Sequence, residues 1–324
     1  MILNKTGLRM FEPSASPISI TRWLERMTDL KQCTLFLAKN QGAYMANILP
    51  NEKKLMVLSA LVEGNSISSI VRMTGVNKRT ILRILCEYGA KAQEIMNREM
   101  VNLKVGRLQV DEIWTYVAKK QKQLKQSEVD NPELGDQYVF VALDADTKLV
   151  PAFRVGKRNL QLATSFMMEL KTRINTIFQL STDAFVGYKD AVDRVFGEEI
   201  HYGQIHKHYS EEQRGEKRYS PANIIRVSIN TITGYPDRKH ISTSYIERQN
   251  LTMRMNMRRF TRLTNAFSKK LKNLEAALAL HFFHYNFLRI HQTLRVTPAM
   301  QAKVTNRLWS WEDLLNFGIE SKAA

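Results

Sequence analysis

Cysteine is scarce in this chain of 324 residues, which has only Cys33 and Cys86. Two thiols are too few for a disulfide framework or a four-cysteine zinc site, and this scarcity is typical of a reducing compartment. Long apolar runs are missing as well. The chain has no stretch of about 18 apolar residues, the length that spans a bilayer. It also has no basic segment followed by the apolar core of a secretory signal. We therefore expect a cytoplasmic protein.

Acidic residues are the second shortage. The chain has 48 Lys and Arg against 31 Asp and Glu, which gives a net charge of +17 and a pI near 9.8. Between Ile205 and Met300 there are 17 basic residues and 6 acidic ones, so +11 of the excess lies in under a third of the chain. Such a balance favours a polyanionic partner such as nucleic acid. The length is sufficient for two or three domains.

Helical periodicity begins after residue 50. Apolar spacing predicts helices over 52–63 and 67–73 and a third from 78 to about 100. Gly75 supplies the left-handed turn between the last two, and the side chain of Asn77 caps the third. The pattern predicts a helix-turn-helix that contacts DNA. Its outward residues are Lys78, Arg79, Thr80 and Arg83. A purely structural three-helix bundle is the alternative.

The periodicity then changes to that of an α/β domain. Alternating or β-rich segments predict strands, and a helical stripe predicts the helices between them. The predicted strands are 106–117, 138–145, 148–155, 177–182 and 200–205, with helices at 160–173 and 188–196. This order is that of the ribonuclease-H-like fold. We therefore expect a mixed five-stranded sheet flanked by helices, preceded by the all-α helix-turn-helix domain.

Three carboxylates are the candidate catalytic and metal-binding residues: Asp111 in the first strand, Asp183 at the end of the fourth, and Glu247. From Arg248 to Lys272 the chain has eight Lys or Arg and no acid, and the next acid is Glu275. Glu247 therefore heads a strongly basic segment. Phosphodiester chemistry uses carboxylates to hold two divalent ions, and Mg²⁺ prefers oxygen ligands. Adjacent strands would bring the two aspartates together, and a helix would carry the glutamate to them.

Each of these acids also has an ordinary interpretation. Asp111 would be a strand-edge residue, Asp183 a turn former, and Glu247 an acid favoured by the dipole of its helix. Glu112 and Asp144 compete for the metal role. Glu112 points to the opposite face from Asp111 in a regular strand, and Asp144 ends the second strand, where it either assists or caps.

The segment after Glu247 is predicted to be a helix with two faces. Asn250, Arg254 and Arg258 follow Glu247 by three, seven and eleven residues and share its face, whereas Ile246, Met253, Met257 and Phe260 form an apolar stripe. We expect the polar face to contact DNA through Arg248, Asn250, Arg254, Arg258 and Arg259. A solvated cationic face is the alternative. The histidines 281, 284 and 291 suit a core or the DNA backbone better than a metal.

Several segments resemble one known family, the insertion sequence 1 family of bacterial transposases. The resemblance extends from about Met45 to the carboxyl terminus. It is carried by DEIW at 111–114, ALDADTKLV at 142–150, STDAFVGY at 181–188, RYSPA at 218–222, STSYIERQNLTMRMNMRRFTRLTNAFSKK at 242–270 and HYNFLRIHQTLRVTPAM at 284–300.

The resemblance implies a DNA transposase with an Asp-Asp-Glu triad, here Asp111, Asp183 and Glu247. It also implies Mg²⁺ as cofactor, as two ions that Mn²⁺ can replace, and double-stranded DNA as partner, both element ends and target. Two ends must be held together, so a homo-oligomer is expected, associated with the bacterial nucleoid. This chain departs from the family pattern in lacking the cysteines of a zinc finger before the helix-turn-helix.

The predicted domains are an extension of unknown role at 1–44, the helix-turn-helix domain at 45–104, the catalytic domain at 105–296 and a tail at 297–324. Two alternative functions stay open. One is an inactive DNA-binding remnant or regulator, and the other is a ribonuclease-H-like nuclease without strand transfer. Tyr245 leaves a third, weaker alternative, a tyrosine recombinase.

Overall fold

The computed structural model describes residues 48–209, 224–261 and 264–318. The predicted extension at 1–44 lies outside the described residues. The described residues from Leu49 to Gly318 belong to one compact unit, the second of the two into which the chain divides. The described part of the second unit contains all the elements named below. No helix in that described part is long and apolar enough to cross a membrane.

Three helices open the second unit, as the sequence predicts. They are α1 (Asn51–Val62), α2 (Ile67–Thr74) and α3 (Lys78–Glu99). Gly75 ends α2 with a φ of 69°, the left-handed conformation that glycine adopts at little cost. The side chain of Asn77 accepts a hydrogen bond of 2.9 Å from the backbone N–H of Arg79. The predicted turn and cap are therefore confirmed, while a role in binding DNA stays a prediction.

A six-stranded mixed sheet follows. Its strands are β1 (Arg107–Val117), β2 (Gly135–Asp144), β3 (Phe153–Gly156), β4 (Gln179–Thr182), β5 (His201–Tyr209) and β6 (Ile224–Thr233). Their spatial order is β3-β2-β1-β4-β5-β6. Strands β1, β4 and β5 run parallel to one another, and the pairs β1–β2, β2–β3 and β5–β6 are antiparallel.

The predicted strand count of five was wrong, because β6 was missed. All residues of β6 are exposed or partly exposed, so the strand lacks the alternation of buried and exposed residues that reveals a strand in a sequence. The third strand is also shorter than predicted. It begins at Phe153. The chain from Asp144 to Lys148 forms a tight turn, in which Lys148 has a φ of 61°, and both backbone polar groups of Val150 then pair with the side chain of Asn286.

Helices connect and cover the sheet. They are α4 (Leu160–Arg173), α5 (Val186–Phe196), α6 (Ser244–Asn256), α7 (Leu271–Phe283), α8 (Pro298–Gln301) and α9 (Trp311–Asn316). Helix α4 has the predicted bounds. Its amino terminus is set by Asn159, whose side chain accepts a hydrogen bond of 2.9 Å from the N–H of Leu162.

One apolar core joins the amino-terminal helices to the rest of the unit. The long helix α3 packs along α7, and the two come close at Gly89, where an added Cβ would lie 2.6 Å from the backbone oxygen of Ala276. No larger residue fits there without moving one helix. Because the core is continuous, it does not separate the predicted domains 45–104, 105–296 and 297–324, and that division stays a prediction.

Candidate active site

Two aspartates lie side by side where β4 ends. Strands β1 and β4 run parallel, and their last paired residues are Val110 and Thr182. The next residue of each strand is an aspartate, Asp111 on β1 and Asp183 after β4. The prediction that adjacent strands bring these two residues together is thus confirmed. Their part in catalysis stays a prediction.

Glu112 joins the two aspartates. One carboxylate oxygen from each of Asp111, Glu112 and Asp183 lies within 4.8 Å of the others, and we call these three residues the carboxylate cluster. Oxygen ligands of this kind suit Mg²⁺ and Mn²⁺, so the donor set fits a divalent cation. The sequence offered Glu112 only as a competitor for the metal role, on the strand face opposite Asp111. The available signal was its position directly after Asp111 in an apolar strand.

The carboxylate of Glu112 is held by two side chains. Its exposed fraction is only 4%. The hydroxyl of Tyr188 donates to Oε2 at 2.7 Å, and the guanidinium of Arg158 donates to Oε1. Arg158 also approaches Oδ2 of Asp183 at 3.9 Å. A single cation therefore bridges two members of the cluster.

Burial and the neighbouring negative charges disfavour the charged forms of Asp111 and Glu112. Burial, with the charges of Glu112 and Asp183, raises the pKa of Asp111 to about 7. Burial and the charge of Asp183 also raise the pKa of Glu112, against the opposing effects of Tyr188 and Arg158. Asp111 and Glu112 thus resist ionisation side by side, and a bound cation would stabilise their charged forms.

Helix α6 is attached to β1 by a side-chain cap. The Oε1 atom of Gln109, which is buried, accepts hydrogen bonds from the backbone N–H groups of Tyr245 and Ile246, at 2.9 and 3.1 Å. These groups belong to the first turn of α6, where backbone donors have no partner within the helix. Gln109 lies two residues before Asp111, so the same strand positions the first aspartate and the helix.

Glu247, the third predicted ligand, lies in the first turn of α6 but outside the carboxylate cluster. Its Oε1 atom accepts hydrogen bonds from the ammonium of Lys207 on β5 and from the hydroxyl of Thr243. The side chain is 44% exposed. It is close enough for its charge to contribute to the raised pKa of Asp111. The structure thus brings Glu247 near the aspartates without joining it to them.

Asn250, one turn further along α6, faces the cluster. Its Nδ2 atom donates a hydrogen bond of 2.8 Å to Oδ2 of Asp111, and its side chain is buried. The Oδ1 atom is buried and has no hydrogen-bond partner among the described residues. The sequence predicted a contact between Asn250 and DNA, and in this structure the amide contacts a carboxylate instead.

The other predicted DNA contacts of this segment are divided by the end of the helix. Arg248 is exposed and Arg254 partly exposed on α6. The helix ends at Asn256, so Arg258 lies with Arg259 in a following 3₁₀ turn and does not share the helical face of Glu247, as was predicted for Arg258. That part of the prediction was wrong. The predicted apolar stripe, Ile246, Met253, Met257 and Phe260, is buried.

The two arginines of the 3₁₀ turn differ in exposure. Arg258 is exposed to solvent. Arg259 points inward, donates a hydrogen bond of 2.8 Å to Oγ of Ser268, and has a pKa that burial lowers to about 10. An enclosed guanidinium is a poor contact for a phosphate, so Arg258 is the better placed of the pair.

The predicted recognition residues lie at the start of α3. Lys78, Arg79 and Arg83 are exposed, and Thr80 is partly exposed. Three cations in fewer than two turns of one helix leave a positive surface that no described acid neutralises.

Three other candidates have structural roles. Asp144 is buried at the end of β2, where its carboxylate accepts hydrogen bonds from the backbone of Asp146 and the hydroxyl of Thr147 and so stabilises the turn. His281 is buried in the core, where burial lowers its pKa to about 3. The ring of His284 stacks on Trp311. None of these belongs to the metal-binding groups found among the described residues.

Comparison with known proteins gives limited similarity. No family model matches the chain. No curated protein matches it. The chain is similar to solved structures of Mos1 transposase. A paired-end complex with the left transposon end has 10% sequence identity, a TM-score of 0.19, and coverage of 56% of this chain and 67% of that one.

Two more Mos1 structures are similar to the chain, both at 11% identity. A pre-cleavage transpososome has a TM-score of 0.17 and coverage of 56% of this chain and 68% of that one. The strand transfer complex has a TM-score of 0.18 and coverage of 55% and 66%. Scores this low mean that the folds do not superpose closely, so the function proposed below depends on the site alone.

Proposed function

We propose that this protein is a DNA transposase that cleaves and joins phosphodiester bonds at the carboxylate cluster. The observation that carries the proposal is the meeting of Asp111, Glu112 and Asp183 between the central strands of a mixed sheet, where β4 ends, beside a helix that presents cations. The order of three strands, a helix, a strand, a helix and a strand supports a ribonuclease-H-like catalytic domain.

The proposed ligands of Mg²⁺ or Mn²⁺ are Asp111 and Asp183, with Glu112 and Glu247 competing for the third position. When bound, divalent cations would activate the attacking oxygen and stabilise the leaving one. Glu112 already lies in the cluster. Glu247 is bonded to Lys207, so its carboxylate must exchange that ammonium for the cation. We retain Glu247 as the third ligand of the triad.

The surrounding residues of this chain hold the acids and the DNA. Tyr188 and Arg158 fix Glu112, Asn250 fixes Asp111, and Gln109 holds the helix that carries Glu247. Burial raises the pKa of Tyr188 well above its usual range, so its hydroxyl stays protonated and remains a donor. The exposed Arg248 and Arg258 are the proposed contacts to the phosphates of duplex DNA.

The amino-terminal helices are the proposed reader of the element ends. Lys78, Arg79 and Arg83 are placed on α3 as on a recognition helix, whose first residues contact base edges and phosphates. The substrate in this proposal is the pair of terminal inverted repeats of a bacterial insertion element. A homo-oligomer would hold both ends, because strand transfer requires them together.

The test uses the full chain and duplex DNA from the regions that flank its gene. We expect Mg²⁺-dependent nicking at the boundary of an inverted repeat, followed by joining of the free 3′-hydroxyl to a target plasmid. Binding without nicking would identify a DNA-binding regulator instead. Nicking without joining, even with a pre-cleaved end, would identify a nuclease.

A further inference from the structure

A band of aromatic and cationic side chains runs along one face of β1 from the carboxylate cluster. Side chains two residues apart in a strand share a face, so Trp114 and Tyr116 lie on the face of Glu112. At about 3.4 Å per residue, Trp114 is about 7 Å along the strand from Glu112. We call Trp114, Tyr116 and Phe267 the aromatic band.

The three rings are in series. The centroids of Trp114 and Tyr116 are 5.6 Å apart, and those of Tyr116 and Phe267 are 4.6 Å apart. Phe267 is held there because the next residue, Ser268, bridges to Val117 at the end of β1. The indole is 37% exposed, an unusual setting for the largest apolar side chain.

Cations accompany the rings at both ends. The ammonium of Lys120 lies 5.9 Å from the centroid of Trp114 and 6.0 Å from that of Tyr116, and that of Lys269 lies 3.5 Å from Phe267. At the other end, Arg158 lies 5.7 Å from Tyr138, the residue opposite Trp114 in β2. The same guanidinium contacts Glu112, so the band is continuous with the cluster.

One acid lies beside the band. Asp136 is opposite Tyr116 in β2, and its Oδ1 atom accepts a hydrogen bond of 3.0 Å from the backbone N–H of Gln121. A surface of rings interleaved with cations matches unpaired nucleic acid, whose bases stack on the rings while its phosphates meet the cations. A duplex does not match it, because its bases are already stacked on one another.

We propose that the aromatic band binds unpaired nucleotides of the DNA strand next to the phosphate that reacts at the cluster. The proposal rests on the proposed function only in naming that strand. It assigns Trp114 as the main stacking residue, since it is the most exposed ring of the band and the one nearest the acids. Lys120 and Lys269 would contact the flanking phosphates.

The test measures fluorescence anisotropy of a labelled oligothymidine with the full chain in EDTA, so that no cleavage occurs. Loss of one stacked base costs about 5- to 150-fold in affinity. We expect W114A to weaken binding by at least about fivefold, and W114F to recover most of it. The matched control is Y235A, which removes an aromatic ring that is 91% exposed and outside the band.

A second measurement needs no variant. An oligomer with abasic sites keeps its phosphates and loses its bases, so wild-type protein should bind it about as weakly as W114A binds oligothymidine. Duplex affinity should be the same for W114A and wild type.

Equal binding of the normal and abasic strands, or a W114A affinity within twofold of wild type, would overturn the inference. If wild type self-associates in a sedimentation experiment and W114A does not, the inference would also be overturned, because the band would then contact a second copy of the protein. Failure of the proposed function is distinguishable. If D111N and wild type both bind oligothymidine through Trp114 but wild type cleaves no DNA, the band stands and the transposase proposal fails.

Discussion

Asn250 donates a hydrogen bond of 2.8 Å to Asp111, which joins the helix α6 to the carboxylate cluster. The amide uses Nδ2 for this contact, and its buried Oδ1 atom has no partner among the described residues. A buried oxygen left unpaired costs free energy, so its retention beside the cluster suits a site that acquires another occupant.

The first prediction concerns N250A. Removing this outer partner of Asp111 should lower Mg²⁺-dependent nicking by about 10- to 100-fold, the usual cost of losing a side chain that orients a metal ligand. Duplex binding should be unchanged. The measurement is the initial nicking rate against Mg²⁺ concentration, where the half-saturating concentration should rise. T252A, on the same helix, is the control and should behave as wild type. An unchanged Mg²⁺ dependence in N250A would contradict the assignment.

The second prediction separates the four acids. D111N and D183N should each reduce strand transfer by more than about 100-fold, a larger loss than that expected for N250A, because each removes a proposed metal ligand itself. Both should leave end binding intact. E247Q should do the same if the ammonium of Lys207 gives way to the cation. E112Q decides the competing assignment. A larger loss in E112Q than in E247Q would place Glu112 as the third ligand and remove Glu247 from the triad.

The third prediction concerns the cap that Gln109 provides. Q109L leaves two backbone donors of α6 unpaired, which costs about 1–3 kcal/mol of unfolding free energy. It should also lower nicking, because α6 carries both Glu247 and Asn250. Urea denaturation and a nicking assay measure the two effects.

The control is N77A, which removes a cap from α3, far along the chain from these acids. It should cost about 1 kcal/mol without slowing the nicking of a pre-bound end. If Q109L and N77A impair nicking equally, then Gln109 stabilises the fold without positioning the site.

The secondary structure was predictable where burial follows a simple period. Helix α4 has the predicted bounds because an apolar stripe and the Asn159 cap agree. Strand β6 was not predictable, because none of its residues is buried. The end of β5 was also missed. Strand β5 continues to Tyr209, past the last residue that pairs with β4, and among the described residues this extension pairs only with β6. Because β6 shows no strand pattern in the sequence, the extension could not be predicted either.

The site was predictable only in part, for a geometric reason. Parallel neighbours bring Asp111 and Asp183 together whatever the details of their side chains. Strand alternation places Glu112 on the face of the sheet opposite Asp111. Its carboxylate still reaches the aspartates, because the pairing of β1 with β4 ends at Val110 and β4 does not continue beside Glu112. The bond between Glu247 and Lys207 depends on the extended end of β5, so no local pattern reveals it.

The fourth prediction follows from the raised pKa of Asp111. The carboxyl has a pKa of about 7 in the folded protein and about 4 when unfolded, so between these values the folded state binds more protons. In the absence of metal, stability is therefore greatest at the acidic end and is lost as the pH rises from about 4 to about 7. The charges facing Asp111 are Glu112 on β1, Asp183 after β4 and Glu247 on α6.

D111N removes this titration. In EDTA, the difference in unfolding free energy between D111N and wild type should shift in favour of D111N by a few kcal/mol across that range. Urea denaturation at several pH values provides the measurement. D130N, at an exposed turn, should track wild type throughout. A difference between D111N and wild type that stays constant with pH would show that Asp111 ionises normally.

The fifth prediction concerns the cations at the start of α3. Each phosphate contact contributes a slope near −0.9 to log K against log salt for duplex DNA. Lys78, Arg79 and Arg83 are all exposed on one helix, so replacing the three by alanine should lower affinity for an element end and reduce the slope by up to about 3. The triple variant should still fold, because these side chains lie outside the core. K53A, which removes an exposed lysine from α1, should change the slope by less than one contact. If the triple variant keeps the wild-type slope, the helices serve as a structural bundle, and end recognition must reside in the basic segment around α6.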